Sequence, residues 1–138
     1  MSLYRYDTQS KGYVPISSAV ILKWFDQAAN GGATYQRLKV DGARWVNSSV
    51  TDEEGYYDIE AVQFRKQNTP TIIIHNASSQ TVNVSLSDIV SGRLPTVIES
   101  ALVDPTADYS STAPLVEALT VANQIEIPAY SVTRVVWE

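Results

Sequence analysis

Three groups of residues in this sequence are of types that can do chemistry. Asp52-Glu53-Glu54 is the one dense run of carboxylates, and its chemistry would be calcium binding or a general acid/base pair. Calcium takes six or more oxygens, and the alternating Asp/Asn pattern of a calcium loop is missing here. An acid/base pair needs carboxylates in unlike environments across a cleft, whereas adjacent loop carboxylates are normally both solvated and ionised. The run therefore reads as a solvated loop. His75, the single histidine, closes an apolar run and could serve as a general base. No nucleophile or orienting acid is evident near it in sequence, and a strand-end histidine bonded locally is the simpler reading. Trp45, Tyr56 and Tyr57, with Tyr35 as a fourth ring, could form a platform that stacks on sugar rings, because aromatic side chains offer a large apolar area with a polar edge. Trp45 lies mid-strand beside Val46, so core packing is the competing assignment and the one the pattern favours.

The composition removes several other classes. With 138 residues the chain is one domain, able to bury about two-thirds of its unfolded surface. The absence of cysteine removes disulfides, thiolate catalysis and cysteine-ligated metal, and one histidine excludes a histidine metal cluster. A formal charge of −5 is the wrong sign for nucleic acid. The apolar runs are far too short to span a membrane, and the N-terminus lacks a charged-then-apolar signal pattern. No cofactor, metal, nucleic acid or membrane partner is expected. Asn47-Ser48-Ser49, Asn76-Ala77-Ser78 and Asn83-Val84-Ser85 match the glycosylation acceptor pattern, which is too short to carry weight. Met1-Ser2-Leu3 is compatible with a cloning remnant, in which case the chain is a piece cut from a longer protein.

The elements that must position these groups are mostly strands. Ile59 to Lys66, Thr71 to Asn76 and Thr81 to Leu86 read as a three-stranded antiparallel meander separated by polar breaks. Val82, Val84 and Leu86 alternate with polar residues and predict one buried face, while the unbroken Ile72-Ile73-Ile74 predicts a central strand covered on both faces. Upstream, residues 1 to 16 read as an irregular or extended lead-in. Residues 17 to 30 read as a helix with Ile21, Trp24, Phe25 and Ala28 on one stripe, capped by Ser17 or Ser18 and ended by Asn30-Gly31-Gly32. Tyr35 to Val40 and Ala43 to Asn47 read as a hairpin around Asp41-Gly42. Beyond the meander, Asp88 to Pro95 turns the chain and Thr96 to Val103 is a strand. Asp104 to Pro114 is a surface loop, Leu115 to Val121 favours strand over helix, and Gln124 to Ile127 and Ser131 to Trp137 complete the set. Seven to nine short strands after one N-terminal helix predict a mainly β antiparallel sandwich, immunoglobulin-like or Greek key, over residues 31 to 138.

Two segments carry a resemblance. The run from Ala61-Val62-Gln63-Phe64-Arg65-Lys66 through Ile72-Ile73-Ile74-His75-Asn76-Ala77-Ser78 to Val82-Asn83-Val84-Ser85-Leu86 resembles the C-terminal β-sandwich that follows the (β/α)8 barrel in retaining glycoside hydrolases. These are arabinofuranosidases, β-xylosidases, glucuronoxylanases and β-agarases. Ile125-Glu126-Ile127-Pro128-Ala129-Tyr130-Ser131-Val132-Thr133 is similar to their closing strand, and the helix to the last helix of the barrel, which would explain its apolar residues off the stripe. Trp45-Val46-Asn47 to Asp58-Ile59 is similar to the agarase and porphyranase type. The resemblance implies a non-catalytic accessory domain whose partner is the upstream barrel, with polysaccharide as a second partner. The parent would then be a secreted or periplasmic bacterial enzyme. Its catalytic glutamates would lie on barrel strands, so none is assigned here. Two other readings stay open: a carbohydrate-binding module using Trp45, Tyr56 and Tyr57, and an immunoglobulin-like adhesion or spacer domain.

Overall fold

A computed structural model of the chain describes residues 4–7, 12–15, 17–47, 55–86, 95–103, 115–117, 120–121 and 124–137. Two short strands, β1 (Tyr4–Asp7) and β2 (Gly12–Pro15), pair antiparallel within the stretch expected to be an irregular or extended lead-in. Helix α1 (Ser17–Ala29) follows. Trp24 and Ala28 are buried on its predicted stripe, and Ile21 and Phe25 are packed against the same cluster. Its end is set by Gly31 and Gly32, both at positive φ (84° and 82°), a conformation that costs glycine nothing. Lys66 donates from Nζ to the Gln27 carbonyl at 2.6 Å, which places a cation at the negative end of the helix.

Strands β3 (Thr34–Leu38), β4 (Trp45–Asn47), β5 (Gly55–Tyr57), β6 (Ile59–Lys66), β7 (Thr69–Asn76) and β8 (Val82–Ser85) come next. They are followed by β9 (Val97–Leu102), β10 (Leu115–Glu117), β11 (Thr120–Val121), β12 (Gln124–Ile127) and β13 (Ser131–Val136). A six-stranded antiparallel sheet has the order β10-β9-β13-β7-β6-β3, and a three-stranded sheet the order β11-β12-β8. The two pack face to face, which makes the fold a mainly β sandwich with a single helix among the described residues. Ile59, Ala61, Ile72, Ile74 and Val135 from the large sheet meet Leu86, Ile125 and Ile127 from the side of the small one, with Trp137 beside them. Each isoleucine so buried contributes roughly 1.5–3 kcal/mol over leaving it exposed. The opposite face of the large sheet carries a second core, in which Phe64, Ile73, Ala101 and Val132 receive Trp24 and Ala28 of α1. Ile72 and Ile74 thus face one core and Ile73 the other, as expected of a central strand.

Two expectations are corrected. The meander is broken after β7: β6 and β7 pair in register, but β8 pairs with β12 in the other sheet. The polar Ala77–Thr81 break carries the chain across the sandwich instead of folding it back. The hairpin around Asp41-Gly42 does not form either. The turn is present, with Gly42 at φ 89° and Ala43 N donating to Val40 O at 3.3 Å, but β3 pairs with β6 and β4 with β5. The stripe of α1 is covered by the chain's own sheet, with Leu22 left at 54% exposure off the stripe. Leu115 to Val121 contains strands, as favoured, with β10 in one sheet and β11 in the other. The Asp52-Glu53-Glu54 loop, the Asp88 turn before Pro95 and the Asp104 to Pro114 loop lie outside the described residues.

Candidate functional site

The β4–β5 hairpin stands apart from both large sheets as a two-stranded ribbon. Asp58 anchors its base: Arg44 N donates to Asp58 Oδ1 at 2.7 Å, Asp58 N donates to Arg44 O at 2.9 Å, and Ala77 N donates to Asp58 O at 2.8 Å. One residue ties the ribbon to the start of β6 and to the end of β7.

Register fixes which side chains share a face of the ribbon. Trp45 is opposite Tyr57 and Asn47 opposite Gly55, so these four lie on one face, while Val46 and Tyr56 lie on the other. The Trp45 and Tyr57 rings meet edge to face, with centroids 5.1 Å apart and planes at 79°. The indole Nε1–H donates to Asn47 Oδ1 at 3.0 Å, which fixes the ring along the strand. Gly55 provides the seat: a Cβ there would stand 2.7 Å from Trp45 Cε2 and Cζ2 and 2.5 Å from Val46 O. The indole can lie over this position only because it has no side chain.

These aromatics are not core residues. Trp45 is 54% exposed, Tyr56 45% and Tyr57 44%, so the core assignment favoured for Trp45 is overturned. The reason is that β4 belongs to the ribbon and not to a strand facing the sandwich interior. Nor do the three form a flat platform, since Trp45 and Tyr57 are nearly perpendicular and Tyr56 is on the opposite face. Tyr35 rests instead against Phe64, centroids 5.5 Å apart, on the helix side of the large sheet.

Tyr57 also borders a groove of about 470 Å³ that it shares with Arg37, Val40, Asp41, Ile59 and Glu60. Its charges are matched. Arg37 Nη2 donates to Glu60 Oε1 at 2.9 Å, and Lys39 lies 3.7 Å from Asp41. Across the Leu38–Ala43 segment a larger groove of about 840 Å³ opens between the edge strands β3 and β8, with Gln36, Gln63, Arg65 and Asn83 on its walls. Gln63 and Arg65 share the inward face of β6 with Ile59 and Ala61, so this end of the sandwich interior is polar. Both volumes are in the range of small-ligand sites.

His75 is exposed on the helix side of the large sheet, opposite Glu60 and Val132 in register, and Glu60 is engaged by Arg37. Asn76, the last residue of β7, is fully buried and uses its whole amide on backbone and Ser78. Among the described residues no three His, Cys, Asp or Glu side chains come together as a metal site. The ribbon and grooves offer, among the described residues, one fixed ring face, neutral amides and self-paired charges. Gly55 was not singled out by sequence reasoning, and Asn47 and Asp58 entered it only through a glycosylation pattern and a resemblance, not as parts of this site. The signal for the first two was present in the two-residue periodicity of a strand, but only after Trp45 was known to pair with Tyr57.

No protein-family model and no curated protein matches the chain. Among solved structures, it is similar to a GH30 endoxylanase from Clostridium papyrosolvens C71, with a TM-score of 0.47 and 15% sequence identity over 94% of this chain and 29% of that one. It is likewise similar to a glycoside hydrolase family 30 subfamily 8 xylanase from Clostridium acetobutylicum, with a TM-score of 0.47 and 18% identity over 95% of this chain and 30% of that one. The chain spans less than a third of the length of either xylanase.

Proposed function

We propose that the chain is a non-catalytic accessory β-sandwich, with its leading helix, of a bacterial polysaccharide-degrading glycoside hydrolase. The catalytic (β/α)8 domain lies upstream in the same polypeptide, and α1 is the joint between the two. The observation that carries this reading is the second core. A free-standing antiparallel sandwich turns polar outer faces to water, whereas the outer face of this six-stranded sheet carries an apolar patch, Phe64, Ile73, Ala101 and Val132, that holds the helix preceding it, beside the charged Arg37, Glu60, Glu99 and Arg134. Tyr35, at 62% exposure, rests on Phe64 of this core, and Leu22, at 54%, is an exposed apolar side chain off the stripe of α1. An upstream domain seated there would gain about 25 cal/mol per Å² of apolar area removed from water.

The resemblance of the β6–β8 and β12–β13 segments to barrel-following sandwiches supports the same assignment. Within that group the Trp45-Val46-Asn47 stretch favours an agar-type substrate for the parent, with xylan as the alternative. An enzyme acting on such polymers works outside the cytoplasm, so the parent is placed as secreted or periplasmic.

The test is the natural gene and its product. The gene should encode a barrel of roughly 250 residues or more upstream, and the intact product should hydrolyse agarose or xylan while the 138-residue chain alone hydrolyses neither. Leu22→Glu should lower the melting temperature of the intact product more than that of the chain alone. A gene without an upstream domain, or hydrolysis by the chain alone, would overturn the assignment.

A further inference from the structure

We propose that the Trp45–Tyr57 corner of the β4–β5 ribbon is a binding site for a neutral oligosaccharide, one ring of which stacks by its C–H face on the Trp45 indole. An indole more than half exposed contributes little to the fold, and left free it would sample several rotamers. This one is fixed by the Asn47 hydrogen bond at 3.0 Å, by the edge contact with Tyr57 and by the seat over Gly55. Pre-organisation of an exposed ring removes an ordering cost that a ligand would otherwise bear. Because the N–H is already satisfied within the ribbon, what the indole offers is its π face.

The occupant follows from the groove bordered by Tyr57, the ring that meets the indole. The groove beginning at Tyr57 has two cations and two anions, each paired with a neighbour, and between them the apolar Val40 and Ile59. Among the described residues such a lining has no net charge with which to hold a phosphate or a carboxylate, and the chain's charge of −5 opposes nucleic acid. A protein partner needs roughly 800 Å² of surface on each side, far more than two rings present. A sugar ring is amphipathic in the way this site is, with an apolar C–H face to stack and hydroxyls to bond the Arg37–Glu60 pair. The site is independent of the accessory-domain reading, since a free-standing binding module would carry it equally.

The experiment is titration of the intact chain with xylohexaose, arabinohexaose, cellohexaose and neoagarohexaose, followed by calorimetry and tryptophan fluorescence. Trp24 and Trp137 are buried, so a ligand-dependent emission change reports on Trp45. At least one glycan should bind saturably. Trp45→Ala should weaken it by about tenfold or more, as removal of a central aromatic contact does. Asn47→Ala, which keeps the indole but frees it, should cost about threefold. Tyr56→Ala, on the other face of the ribbon, should leave the affinity unchanged. Thermal unfolding of each variant checks that the sandwich is intact, and if Trp45→Ala does not fold, Asn47→Ala decides. Absence of saturable binding to all four glycans would overturn the site, as would affinity undiminished by the deciding variant. Either result is read on the chain alone and leaves the accessory role, read on the intact product, standing.

Discussion

The Asn76 side chain donates from Nδ2 to the Pro128 carbonyl at 3.0 Å, across 52 residues of sequence. The same nitrogen donates to Gln80 O at 2.8 Å, while Oδ1 accepts from Ser78 N and Ser78 Oγ at 2.9 and 2.7 Å. An amide has two donors and two acceptor sites, and all four are used. Asn76 therefore holds together the place where the chain leaves the large sheet after β7 and the corner where β12 passes into β13.

Replacing Asn76 with Ala should leave Ser78 N unpaired and take one bond each from Gln80 O and Pro128 O, which keep Ser78 Oγ and Ser131 Oγ, at about 1–3 kcal/mol for a buried group left without its partner. We expect a loss of about 3 kcal/mol, read as a fall of roughly 10 °C in melting temperature. Asn76→Asp keeps the shape and the acceptors but loses the donors, and should be at least as damaging. A near-neutral Asn76→Ala would show that the corner is held by Ser131 Oγ, which donates to Pro128 O at 2.7 Å, and by the strands alone.

Helix α1 is latched to the large sheet by Arg134. Its guanidinium lies 5.3 Å from the centre of the Trp24 ring and donates to Gln27 Oε1 at 3.0 Å and to Glu99 Oε2 at 2.9 Å. Arg134→Ala removes both the stacking and the packing of the stem, and should cost about 1–2 kcal/mol in chemical denaturation. Trp24→Ala opens a cavity in the second core and should cost about 3–5 kcal/mol. Equal effects of the two would mean that the cation, rather than the buried ring, holds the helix.

The buried tryptophans should separate cleanly from Trp45 in stability. Trp137 is 1% exposed in the main core, and its replacement by Ala should cost about 3–5 kcal/mol. Trp45→Ala, on the ribbon, should stay within about 1 kcal/mol of the parent. Equilibrium unfolding in urea measures both.

Gly42 is at φ 89° with open space around the position of a Cβ. Gly42→Ala should therefore cost only the left-handed backbone term, about 1–2 kcal/mol, and should not disturb neighbours. Gly55→Ala is the contrasting case: its methyl meets Trp45 and Val46, so the variant should shift Trp45 emission as well as stability.

Local pattern made the helix, the strands and the buried faces of β7 and β8 readable. The 3.6-residue stripe of Trp24 and Ala28 and the alternation of Val82 and Val84 depend on neighbours close in sequence. Strand partnership does not. Nothing in Asp41-Gly42 distinguishes a hairpin turn from a turn between strands that pair elsewhere, and nothing in Ala77–Thr81 announces a crossing between sheets. The site was half legible for the same reason. Trp45, Tyr56 and Tyr57 stood out by type, but their exposure depends on β4 pairing with β5 outside the large sheets. The split of Tyr56 from Tyr57 needed only the two-residue period, once both were known to lie on one strand.

The position of β13 bears on how the protein is made. As the last of these strands to be synthesised, it lies between β9 and β7 in the middle of the six-stranded sheet. Until Ser131–Val136 has been translated, β7, β6 and β3 on one side and β9 and β10 on the other have no shared backbone to bond. The large sheet cannot then assemble progressively behind the ribosome. Its closure awaits Ser131–Val136, a high-contact-order step that is slow by nature. A nascent chain stalled or clipped before Ser131 would present two open sheet edges to the cell, and quality-control proteases should clear such products rapidly.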